Sequence, residues 1–151
     1  MLAKILSEHS DSATLQGLDI RADQIAEAEN HWGQKFDKEI TTKFLNHRAD
    51  RLQDLKEIEN ADVAFLRHQN YWNDREVWSR IFDQTLDRLD DDGLLVITSY
   101  FDLEHELATE ALERLGAVQV GSIVNPNSRE LTSAPGKSVD RHLAIFRKKA
   151  D

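Results

Sequence analysis

Residues 89–101, LDDDGLLVITSYF, decide the fold. Just upstream, Val77, Trp78, Ile81, Phe82, Leu86 and Leu89 recur at three- and four-residue spacing behind Asp74, a suitable N-cap, so a helix is expected there, ending at Asp92-Gly93. Leu94-Leu95-Val96-Ile97-Thr98 follows without polar alternation. That is the pattern of a strand covered on both faces, as in a parallel sheet flanked by helices.

Outward from this unit the alternation repeats. Residues 13–20 (ATLQGLDI) read as a strand, and Ile25, Ala26, Ala28, Glu29 and Trp32 mark a following helix. Before them, Leu2, Ala3, Ile5 and Leu6 recur at helical spacing and stop at the polar run 7–12. Residues 41–47 and 63–66 are further strands, with a short helix expected over 52–57. After Phe101, a helix around Leu107, Ala108, Ala111, Leu112 and Leu115 closes at Gly116. The last strands, 117–124 and 142–147, are separated by turn signals at Asn125-Pro126-Asn127-Ser128 and Pro135-Gly136 and should pair antiparallel. The expected architecture is α/β, a Rossmann-like three-layer sandwich over residues 1–151 as a single domain, with a mostly parallel sheet and an antiparallel C-terminal edge.

Composition narrows the function. The chain has 151 residues, 40% of them hydrophobic, which suits one compact core. No apolar run approaches the roughly 20 residues of a membrane span, and Met1-Leu2-Ala3-Lys4 does not open a signal peptide, so a soluble, cytoplasmic protein is expected. The absence of cysteine excludes disulfides, thiolate zinc sites and cysteine nucleophiles. A net charge of −9 with no broad basic surface argues against a nucleic-acid partner; Arg147-Lys148-Lys149 reads as a solvated strand end.

Asp19 ends a strand that feeds a helix, the position where Rossmann-like folds hold ribose hydroxyls; it could equally cap the helix that begins near Arg21. Residues 67–74 (RHQNYWND) follow the strand ending at Leu66 and crowd polar and aromatic groups at the carboxyl end of the sheet, where such folds bind ligands.

Nearly the whole chain resembles the class I S-adenosylmethionine-dependent methyltransferases. Residues 13–20 look like that family's second strand, with Asp19 as its ribose-binding acid and Ile20 beside it. Residues 47–51 (HRADR) follow the next strand, where the family often places an acid near the adenine, which implies Asp50 and its neighbour Arg51. Residues 62–68 are similar to the fourth strand, and 89–101 to the helix, glycine turn and fifth strand. The resemblance implies S-adenosylmethionine as cofactor. It also locates a departure: the family's first strand, central in its sheet, and its glycine-rich loop should precede Leu2, so that strand is expected to be missing or replaced and the chain to be truncated or a short relative.

The expected substrate side is the loop after Leu66. His68 is the candidate general base, with Arg67, Asn70, Tyr71 and Trp72 around the substrate. The Asn/Asp-Pro-Pro-aromatic motif of amine methyltransferases is only loosely matched, since no proline is present. Asp102-Leu103-Glu104-His105-Glu106 could supply a second acid or base, but adjacent residues in a turn do not define a ligand shell, and no metal is expected. The expected function is methyl transfer to a small molecule by a homodimer. The alternative is a non-catalytic methyltransferase scaffold that acts through dimerisation or partner binding.

Overall fold

The computed structural model describes residues 11–32 and 39–149. The helix expected around Leu2 to Leu6 lies outside them. The chain divides into two compact units between Arg51 and Leu52.

In the first unit, β1 (Ser12–Asp19) runs parallel to β2 (Glu39–Asn46) in unbroken register, from Ser12 opposite Glu39 to Asp19 opposite Asn46. The helix α1 (Ala22–Trp32) makes the crossover. Gly17 is required because the Phe44 ring lies across it: a Cβ there would stand 2.6 Å from a ring carbon. A short 3-10 segment (Ala49–Asp54) follows, broken at Arg51 by φ −129° and ψ 30°, in place of a helix over 52–57.

The second unit contains β3 (Ala61–Leu66), α2 (Arg75–Asp87), β4 (Leu89–Ser99), α3 (Asp102–Arg114), β5 (Val118–Val124), a small ladder of β6 (Arg129–Glu130) and β7 (Ser138–Val139), and β8 (His142–Arg147). Its four-stranded sheet has the order β3-β4-β8-β5, with β3 parallel to β4 and β8 antiparallel to both its neighbours. The parallel pairs therefore come early and the antiparallel edge is C-terminal, as the sequence suggests. Among the described residues, β1 has only β2 beside it and β3 has only β4.

Asp74 caps α2 as expected, its Oδ1 accepting from Val77 N at 3.1 Å. The helix ends earlier than the sequence implies. Arg88 turns its guanidinium onto the carbonyls of Ile58 and Leu55, at 2.8 and 3.2 Å, and Leu89 already belongs to the strand. Ala61 pairs with Leu89 but Val63 with Leu94, so Asp90, Asp91, Asp92 and Gly93 form a bulge in β4, not a helix terminus. Gly93 is obligatory there: a Cβ would meet the Asp90 and Ala61 carbonyl oxygens at 2.9 and 3.0 Å.

The core lies between one face of this sheet and the two helices. Leu95 and Ile97 sit opposite Phe146 and Ala144, all fully buried, and pack with Phe82 and Leu86 of α2 and Ala108 and Leu112 of α3. Each fully buried large side chain contributes roughly 1.5–3 kcal/mol of transfer free energy. Alternation puts Leu94, Val96 and Ile145 on the other face, where they are only partly buried, beside Val63 and Phe65, 52% and 40% exposed. The expected double burial of residues 94–98 is thus complete on the helix-covered face, while on the other face Thr98 is buried and Leu94 and Val96 are not. No described helix is long and apolar enough to cross a membrane.

Candidate functional site

In the second unit, the carboxyl ends of β3 and β4 build a cluster around His68. The residues after Leu66 turn sharply: His68 N donates to Thr98 Oγ1 at 2.9 Å and Gln69 N to the Thr98 carbonyl at 3.2 Å. Gln69 is fully buried and locks the turn, its Nε2 donating to Ser99 Oγ at 2.9 Å while its Oε1 accepts from Tyr71 N at 2.8 Å. A buried amide with both ends paired fixes the loop backbone, since leaving either end unpaired would cost about 1–3 kcal/mol.

Two described non-glycine residues have left-handed backbones, His68 with φ 55° and Asp140 with φ 49°. They face each other. His68 Nε2 lies 2.8 Å from Asp140 Oδ1, off the line a hydrogen bond prefers, so this buried nitrogen has an electrostatic neighbour but no well-directed partner. Arg67 holds the same carboxylate, its Nη2 donating to Oδ2 at 2.9 Å. The Tyr100 ring stacks on the imidazole at a centroid distance of 4.2 Å. Burial pushes the His68 pKa below the ordinary histidine value, with Arg67 acting in the same direction and Asp140 opposing. Burial disfavours ionisation of Asp140, but Arg67, Thr98 and His68 outweigh it and hold the carboxyl below the usual range.

Beneath this pair is Glu104, 1% exposed, whose Oε2 accepts from Tyr100 N at 2.8 Å; burial raises its pKa. At the start of α3, Asp102 accepts from Arg141 Nε and contacts His142 Nε2, both at 2.7 Å; Arg141 and His142 hold its pKa down to about 2. His105 stacks on His142 at 4.6 Å and touches Ser99 Oγ through Nδ1 at 3.2 Å; burial carries its pKa down to about 4.

Of the substrate residues expected from sequence, Arg67 and His68 meet here. Asn70 is exposed and serves the entry to α2, its carbonyl accepting from Asn73 N at 3.0 Å. Trp72 is half-exposed and stands edge-on to Phe101, over which Lys137 Nζ lies at 5.5 Å. Tyr71 points elsewhere: it is 6% exposed, stacks on Phe82 at 5.6 Å, and is a core residue, not a pocket wall. Asp140, Tyr100 and Gln69 were not assigned roles from sequence, and Glu104 was named only within the run 102–106 as a possible second acid or base. Asp140 and Glu104 lie far along the chain from His68, so no local spacing links them.

In the first unit, Asp19 ends β1 as expected. Its carboxylate accepts from Arg21 N and Nε on Oδ1, at 2.8 and 3.0 Å, and from Arg21 Nη2 on Oδ2 at 2.8 Å, which lowers its pKa. Both suggested roles for Asp19 therefore draw on one group, because the Arg21 N contact is a local turn cap. Ile20 is 70% exposed beside it. Asp50 is buried, with the Arg48 guanidinium forked onto it at 2.9 and 2.8 Å; Arg51 is exposed at the kink.

No family sequence model matches the chain, and no curated protein matches it in sequence. Solved structures do match. The N-methyltransferase NodS from Bradyrhizobium japonicum WM9 superposes with a TM-score of 0.68 at 16% identity, over 99% of this chain and 92% of that one. The same protein in complex with S-adenosyl-L-homocysteine gives 0.69 at 16%, over 99% and 84%. A methyltransferase-like structure from Thermoplasma acidophilum gives 0.69 at 12%, over 99% of this chain but only 64% of that one. An rRNA methylase from Streptococcus thermophilus gives 0.61 at 14%, over 99% and 95%. The chain has the Rossmann-like fold of the class I S-adenosylmethionine-dependent methyltransferases.

Proposed function

We propose that this chain is an S-adenosylmethionine-dependent methyltransferase acting on a small molecule, with His68 as the general base. The observation that carries the reading is the pairing of His68 with Asp140 at the carboxyl end of the sheet. Burial favours the neutral imidazole, which is the form a base requires. With the Nε2 proton on the Asp140 side, the accepting lone pair falls on Nδ1. His68 would take the proton of the acceptor's attacking heteroatom, and Asp140 would stabilise the imidazolium so formed. Trp72 and Phe101 supply apolar surface at the same end of the sheet.

The cofactor, when bound, supplies the electrophilic methyl group. Asp19 suits its ribose: the carboxylate is ionised and Oδ2 accepts from Arg21 Nη2, leaving capacity for a hydroxyl. Ile20, beside Asp19, and Asp50 and Arg51 on the adenine side are the further proposed cofactor residues, Asp50 with its carboxylate held by the Arg48 guanidinium. The described glycines, at 17, 93, 116, 121 and 136, lie singly, so none of them forms the family's loop. The acidic balance of −9 favours a small acceptor over RNA.

The test is release of S-adenosylhomocysteine across a panel of small phenols, amines and carboxylic acids, compared with an RNA oligonucleotide. Turnover on a small acceptor that falls about 100-fold or more in His68→Gln is expected. Equal turnover by the variant removes His68 as base, and transfer to RNA alone removes the small-molecule assignment. The scaffold reading has its own support in the exposed Val63, Phe65 and Ile123 on the sheet face opposite α2 and α3, a surface suited to a homodimer.

A further inference from the structure

We infer that Asp102, although it does not touch His68, is a positioning residue for it, acting through the chain segment Asp140-Arg141-His142. The structure repeats one motif on two sides of this tripeptide. On one side, the Asp140 carboxylate holds an arginine and a histidine, Arg67 and His68, from the loop after β3. On the other, the Asp102 carboxylate holds an arginine and a histidine, Arg141 and His142, from the tripeptide itself. The segment that delivers Asp140 is thereby tied to the first residue of α3.

The tie matters because Asp140 has an unfavourable backbone. A left-handed conformation is unfavourable for a non-glycine residue, so the residue stays there only if its neighbours are held. Three groups hold them. Asn125 Nδ2 donates to the Asp140 carbonyl at 3.1 Å and Asn125 N to the Arg141 carbonyl at 2.8 Å. Ser138 N donates to the Tyr100 carbonyl at 2.9 Å. The Arg141 and His142 side chains end on Asp102. Of these, the Arg141–Asp102 contact is ionic, and the Asp102 contacts add to the Asn125 bond and to the pairing of His142 with Ser99 and Val124 in holding the residues immediately after Asp140. With Asp102 removed, the segment relaxes, Asp140 withdraws, and His68 is left facing Arg67 and the Tyr100 ring with no carboxylate to balance them.

The inference adds to the reading of His68 as base, yet its test does not require turnover. The midpoint of the His68 imidazole titration is followed by NMR in the full chain and in three variants. Asp140→Asn, the direct loss, lowers the midpoint because the opposing carboxylate is gone. Asp102→Asn is expected to lower it as well, but loss of a nearby negative charge would do the same without any motion.

Arg141→Gln separates the two. Removing a positive charge by itself raises the His68 midpoint, whereas releasing the tie lowers it, so the sign of the change decides. Arg141 is a surface residue and its loss leaves the core intact, as an unchanged amide spectrum would show. A midpoint that falls by about half a unit in Arg141→Gln supports the positioning role. A midpoint that rises or stays fixed while Asp140→Asn lowers it overturns the role of Asp102. If Asp140→Asn also leaves it unmoved, the His68–Asp140 pair itself, and with it the proposed base, fails.

Discussion

His68 and Asp140 are both left-handed, and they meet at 2.8 Å. Strain placed on both partners of one charge contact is seldom tolerated unless the contact has a use, because each such residue gives up roughly 1 kcal/mol or more to hold its backbone. This pair therefore carries more of the functional reading than any single titratable group in the chain.

The backbone requirement makes a ranking. At position 140, asparagine and glycine accept a left-handed conformation, whereas a β-branched residue does not. Asp140→Asn should stay within about 1 kcal/mol of the parent in urea unfolding, and Asp140→Val should lose about 2–3 kcal/mol. Equal losses would mean that the charge, not the backbone, governs stability at this position.

His105 should make stability depend on pH in a defined window. Its folded pKa, about 4, lies below the ordinary value of 6.5 because of burial, with His142 adding to the effect and Asp102 opposing it. The unfolded chain therefore takes up the proton first. Stability from this group is complete above about pH 6.5 and is lost as pH falls toward 4, by on the order of 2–3 kcal/mol over the window. Thermal melts at pH 7 and 4.5 on the parent and on His105→Gln check this; the variant should lose much of the slope. An identical slope in both would place the acid sensitivity elsewhere.

The two faces of the second unit's sheet should respond differently to truncation. Leu112→Ala, inside the helix-covered core, should cost about 2–5 kcal/mol. Phe65→Ser, on the more exposed face, should cost less than about 1 kcal/mol in dilute monomer. Gly93→Ala should lose about 1–3 kcal/mol, because its new methyl meets backbone oxygens that cannot move aside. Urea denaturation of the three variants tests the set, and a large loss from Phe65→Ser at rising protein concentration would reveal self-association through that face.

Much of this fold is legible in the sequence because periodicity survives translation into structure. The stripe from Val77 to Leu86, the cap at Asp74 and the alternation of strands and helices all reappear. The errors are local. The helix was expected to run to Asp92-Gly93 because a glycine after a helical stripe usually ends a helix, but the interactions of Arg88 end it sooner and the glycine serves a bulge. Tyr71 sits in a polar loop by sequence yet turns inward onto Phe82, since one aromatic ring in a loop carries no periodicity to reveal its direction. The site was half legible. His68 and Arg67 follow a strand and could be found by position, whereas Asp140 belongs to a loop after Pro135-Gly136 and reaches them only through the tertiary fold.

The measurement that tests the central claim most directly is calorimetric titration of the 151-residue chain with S-adenosylhomocysteine, repeated on Asp19→Ala. Saturable binding, weakened about tenfold by the loss of the hydroxyl contact to Asp19, is the predicted result. No binding at millimolar ligand, or binding indifferent to Asp19, would contradict the account of this chain as a cofactor-dependent methyltransferase.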